Sequence, residues 1–109
     1  MTYTINYYSD DVLSELLSLP ETLQAKYLRL TERMEIFGAN LGEPHTKAMG
    51  DGLFELRLKG AEGIARVFYC TLVGQRIVML HSFIKKTAKT PRPELKIAIQ
   101  RMNEVKQHA

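Results

Sequence analysis

The chain has 109 residues, 45% of them hydrophobic and 25% charged, with one cysteine; this predicts one globular domain over 1–109 that needs no disulfide or metal to fold. The net charge of +3 hides an asymmetry: residues 1–42 carry three basic and six acidic side chains, −3, and residues 43–109 carry twelve and six, +6, so the second half is suited to an anionic partner such as nucleic acid. A lone Cys70 excludes an internal disulfide, no apolar run approaches the roughly 18 residues of a membrane span, and the N-terminus MTYTINYYSDD lacks a signal-peptide pattern, so the expected location is the cytoplasm.

Tyr3 to Tyr7 alternates in hydrophobicity and reads as a short strand. Ser9 or Asp10 can cap a helix whose apolar stripe is Val12, Leu13, Leu16 and Leu17. Ser18 and Glu21 fit a capping box, with Pro20 in the first turn of a second helix. Leu23, Tyr27, Leu30, Met34 and Phe37 share one face of that helix, and Gly38 is its natural stop. The two helices are expected to form a hairpin.

Residues 38–52 hold four glycines and a proline and read as a loop, with a short extended piece around His45 to Ala48. Three strands follow. In Leu53 to Lys59, Phe54, Leu56 and Leu58 lie on one face and Glu55, Arg57 and Lys59 on the other. Gly60 to Gly63 is a turn, Ile64 to Leu72 a nearly continuous apolar strand, Val73-Gly74-Gln75 a second turn, and Arg76 to Phe83 the last strand. Thr90 is the expected cap, and Pro91 the first residue, of a final helix with Leu95, Ala98, Ile99, Met102 and Val105 on its apolar face. The predicted class is α+β: an N-terminal strand and helical hairpin, a curved antiparallel sheet of about four strands with the helices on one face, and a C-terminal helix.

Arg57 and Arg66 fall on consecutive strands, one or two pair positions apart if Gly60–Gly63 is the turn. Arg66 is the single charge in Ile64-Ala65-Arg66-Val67-Phe68-Tyr69 and needs a partner or a ligand. A cross-strand pair with Glu55 would satisfy it; so would a phosphate, whose geometry the guanidinium fork matches. His81 falls in strand parity with Ile77, Met79 and Phe83. Its neighbours Lys85 and Lys86 favour the neutral ring, which suits a general base. Cys70 is mid-strand and expected to be buried and inert. There is no Gly-rich phosphate loop and no metal-ligand spacing, so no cofactor and no metal are expected.

Three segments carry a resemblance: KAMGDGLFELR (47–57), ARVFY (65–69) and LHSFIKKTAKTP (80–91). In order and spacing they resemble the phage-derived HigB-like group of the RelE/ParE toxin superfamily. The resemblance runs from about residue 3 to 105 and implies a RelE/ParE-like fold and a toxin of a type II toxin–antitoxin pair. RelE- and HigB-like members enter the ribosome and cut messenger RNA, and their usual partner is a helix-turn-helix antitoxin that also represses the operon. The implied partners are therefore that antitoxin, the ribosome and messenger RNA, with operator DNA reached only through the antitoxin and no membrane.

Metal-free cleavage of RNA uses the ribose 2′-hydroxyl as nucleophile, and needs a base, cations for the phosphorane and an acid for the leaving oxygen. By resemblance, Arg57 and Arg66 stabilise the scissile phosphate, Lys85 or Lys86 adds charge or acts as acid, and His81 or Lys47 is the base. Lys59, Lys89 and Arg92 are expected to contact flanking RNA. Two other readings share the fold: a ParE-like inhibitor of DNA gyrase, and a catalytically weak binding module acting with its antitoxin in operon repression.

Overall fold

The computed structural model describes residues 2–86 and 88–108. In chain order the elements are β1 (Thr4–Tyr7), α1 (Asp10–Leu17), α2 (Glu21–Phe37), β2 (Thr46–Gly50), β3 (Leu53–Gly60), β4 (Gly63–Leu72), β5 (Arg76–Ile84) and α3 (Arg92–Gln107). The class is α+β, as expected, but the sheet has five strands rather than about four, in the order β1-β5-β4-β3-β2. The added strand is β2, within the segment read as loop. Asp51 and Gly52 turn it back onto β3, both at positive φ (56° and 86°), as a two-residue hairpin of the mirror-image type requires. The Asp-Gly pair ahead of an alternating strand was the sequence signal for that hairpin. A second difference is β1, which pairs parallel to β5, so the sheet is mixed and only β2 to β5 form an antiparallel meander.

Two of the three helix starts depart from their expected caps. Ser9 does cap α1, its hydroxyl accepting from the Val12 N–H. Ser18 instead closes α1, its hydroxyl donating to the Ser14 carbonyl, and α2 starts behind Pro20 without a side-chain cap of its own. Its free donors are met from the sheet: Glu62, in the β3–β4 turn, accepts from the Thr22 N–H and the Thr22 hydroxyl. That hydroxyl also accepts from the Ala61 N–H. Gly60 permits the close approach, since a Cβ there would collide with Thr22. Thr90 does not cap α3 either, which begins behind Pro91 with no side-chain cap.

Helices cover both faces of the sheet, not one. Val12 and Leu16 of α1 and Leu23, Tyr27, Leu30 and Met34 of α2 pack with Leu56, Leu58, Val67, Tyr69, Ile77 and Met79. On the opposite face Ala98 and Met102 of α3 pack with Leu53, Phe68, Cys70, Val78 and Leu80. Alternation along a strand feeds two cores, which is why β4 reads as almost continuously apolar. Each of α1 and α2 takes its main contacts from the sheet. Phe37, expected in the α2 stripe, is 68% exposed, since Gly38 ends the helix there at φ 96°. No helix among the described residues is long and apolar enough to cross a membrane.

Candidate functional site

The α3-facing side of β3, β4 and β5 carries three cross-strand rows. Arg57 pairs with Arg66, and Arg66 with Phe83. One step toward the β3–β4 turn, Lys59 pairs with Ile64, and the Lys85 N–H bonds the Ile64 carbonyl at 2.8 Å, extending that row just past β5. One step the other way, Lys47, Glu55, Phe68 and His81 form a row across all four meander strands. The two arginines are directly opposite. The Arg57 N–H points the other way, to the His45 carbonyl at 2.8 Å. Arg57–Arg66 is therefore a non-hydrogen-bonded pair, the closer of the two antiparallel spacings.

Like charges directly opposed are destabilising, and Glu55 offsets this. It is 3% exposed, on a face that reads as polar in sequence, because α3 and the segment leading into it lie over this end of the sheet. Its Oε1 accepts from Arg57 Nε at 3.3 Å and stands 3.7 Å from Arg66 Nε. Its Oε2 accepts from the Thr90 hydroxyl at 3.0 Å. Arg57 also donates to Glu43 at 3.2 Å on the rim. The anticipated Arg66–Glu55 pair is thus a charge contact too long for a hydrogen bond. Arg66 Nε is buried without a hydrogen-bond partner among the described residues, while Nη1 donates to its neighbour's carbonyl, Ala65 O, at 3.3 Å. Burial pushes the Arg66 guanidinium down from its ordinary value, Glu55 draws it back up and Arg57 opposes that.

His81 does not sit where its parity predicts. Phe68 pairs with His81 but Tyr69 pairs with Met79, so Leu80 is an extra residue in β5. Such a bulge re-aims the side chains that follow it. Ile77 and Met79 face α1 and α2, whereas His81 turns to the α3 side. There Nε2 lies 3.0 Å from Glu94 Oε1 in the first turn of α3, and the ring stacks on Phe83. Nδ1 is buried with no partner among the described residues. A carboxylate, Glu94, is therefore the ring's polar partner.

Of the other predicted residues, Lys47, Lys59, Lys86, Lys89 and Arg92 are exposed and Lys85 is half-buried. Thr87, within the lysine-rich stretch, lies outside the described residues. Cys70 is fully buried, and burial pushes its thiol up to about 11, against a small pull from Lys106. Sequence reasoning missed four participants. Glu55 was weighed only as a partner for Arg66, Thr90 only as a cap, and Lys26 and His45 not at all as neighbours of the arginines. The last two line an open cleft of about 330 Å³ with Pro44, Arg57, Leu58, Lys59, Ile64 and Arg66.

Residues 14–103 match the family model described as "Phage derived protein Gp49-like (DUF891)", a family known as a toxin type of toxin–antitoxin systems. The match spans well over half of the chain, and the chain belongs to this family. No curated protein matches it.

Proposed function

We propose that this Gp49-like chain is the toxin of a type II toxin–antitoxin pair, of the HigB-like kind within the RelE/ParE superfamily, and that it cuts messenger RNA on the ribosome in the cytoplasm. The observation that carries the reading is the directly opposed Arg57–Arg66 pair, held by a buried carboxylate on a sheet face that also bears Lys47, Lys59 and Lys85. An isolated fold gains nothing from opposing two guanidinium groups at the closer ladder spacing. A phosphorane gains two forks of donors where its charge develops.

In this mechanism the 2′-hydroxyl oxygen attacks the adjacent phosphorus while a base takes its proton. Arg57 and Arg66 carry the charge of the phosphorane. The bond to the 5′-oxygen then breaks, an acid protonates that oxygen, and a 2′,3′-cyclic phosphate and a 5′-hydroxyl result. The atoms and charges balance without a cofactor or metal. His81 is bound to Glu94 on one nitrogen and buried on the other, which favours the lysines for proton transfer: Lys47, in its neutral amine form, as base, and Lys85 or Lys86, as the ammonium, as acid. His81 then acts by fixing the start of α3 over the site.

The test is induced expression with primer-extension mapping of transcripts, comparing the parent chain with Arg66→Ala. The parent should arrest growth and leave discrete 5′ ends within coding regions, and the variant neither. Intact transcripts and normal growth with the folded protein present would overturn the reading. Filamentation and DNA damage with intact transcripts would point to gyrase instead.

A further inference from the structure

β2 covers only part of β3. Their pairing begins at Thr46 and Leu56, so from Arg57 to Gly60 the outer edge of β3 lies open beyond the His45 contact. The alternation that sends the Arg57 N–H to His45 also turns the Lys59 N–H toward that open side. A charged residue on an edge is ordinarily explained as protection against strand addition, and Lys59 alone would need no more. Lys26 is not explained in that way, because it comes from α2 on the far layer. The Glu62–Thr22–Ala61 bonds pin the first turn of α2 to the β3–β4 turn. Lys26, four residues after Thr22, shares its face of the helix and so reaches the same cleft as Lys59, Arg57 and Arg66.

The cleft is therefore lined by four cations and His45, with Leu58, Ile64 and Pro44 as its apolar surface and no carboxylate in its lining. Its volume of about 330 Å³ is at the small end for a ligand pocket. It suits one unit of a flexible strand rather than the flank of a duplex. Cations that track a backbone beside a ring and apolar side chains on which a base can rest are the elements of single-strand recognition.

We infer that this edge cleft is a binding subsite for single-stranded RNA: Lys26 and Lys59 hold a phosphate next to the one between Arg57 and Arg66, and His45 carries a base. The inference rests on the toxin reading for the identity of the polyanion, and its test is separate from cleavage. The probe is a short fluorescent RNA with 2′-O-methyl riboses, which lacks the nucleophile and cannot be cut. Binding is measured by anisotropy over a salt series. For single strands each phosphate contact contributes about 0.7 to the slope of log affinity against log salt. Lys26→Ala and Lys59→Ala should each flatten the slope by about 0.7 and weaken binding about fivefold at about 50 mM salt. Arg29→Ala, the same charge change one turn further along α2, should do neither. The thermal midpoints of all three should match the parent. No binding by the parent at that salt, or equal effects of Lys26→Ala and Arg29→Ala, overturns the subsite. If the lysine variants bind weakly while no transcript is cut in cells, the subsite stands and the nuclease reading fails. If transcripts are cut and the variants bind normally, the reverse holds.

Discussion

Thr90 donates its hydroxyl to the buried carboxylate of Glu55 at 3.0 Å, and that bond ties the segment leading into α3 to the strand that carries Arg57. A residue that reads as a helix cap is a tether for the site. The two roles predict opposite effects of one substitution. Aspartate caps a helix as well as threonine or better, yet it would set a second carboxylate against Glu55. Thr90→Asp should lower the thermal midpoint, and Thr90→Val should cost about 1–3 kcal/mol for leaving Glu55 with one partner fewer. Urea titration of both checks this. A neutral or stabilising Thr90→Asp would restore the capping role.

Glu62 gives a dependence on pH. Its bonds to the Thr22 hydroxyl and N–H hold its carboxyl below the ordinary value of 4.5. A depressed folded value means that the contribution is fully present above the unfolded value and is lost as pH falls through the folded one. The thermal midpoint of the parent should exceed that of Glu62→Gln near neutral pH, and the gap should narrow as pH falls below the unfolded value and close once it is below the folded one. A gap constant with pH would mean that the charge of Glu62 does not cap α2.

The hairpin that brings Lys47 opposite Glu55 depends on Gly52, at φ 86°. An L side chain in the left-handed region costs about 1–2 kcal/mol, and a Cβ here would also stand 3.4 Å from the Thr71 hydroxyl. Gly52→Ala should therefore destabilise the fold by about that amount in chemical denaturation. Asp51→Asn, at φ 56°, should be close to neutral, since asparagine tolerates this conformation well.

Cys70 should be inert while the chain is folded. Its thiol is pushed up to about 11 from an ordinary 9.0, which lowers the thiolate fraction about a hundredfold, and the side chain is fully buried. Labelling by a thiol reagent at mildly alkaline pH should follow the unfolding curve in urea. Rapid labelling of the native protein would show that this face of the sheet opens.

Much of the fold was legible because it is local. Periodicity marked the three helices, and the turns at Gly60–Gly63 and Val73–Gln75 set the order of β3, β4 and β5. The short first turn also brought Arg57 and Arg66 together on paper, and the register made them direct partners. The Asp51-Gly52 hairpin was equally local, and a segment rich in glycine concealed it.

By itself the sequence determined which side chains are apolar, where the chain turns, and that two arginines and several lysines converge on one sheet. Tertiary structure alone decided which face each of them serves. Alternation says that neighbours point opposite ways, not which helix covers which side, and one extra residue at Leu80 moved His81 from one core to the other. The parallel pairing of β1 with β5, the burial of Glu55 under the start of α3 and the arrival of Lys26 beside Lys59 depend on contacts between distant segments. No local propensity encodes those contacts; they follow from packing two helical layers on one twisted sheet.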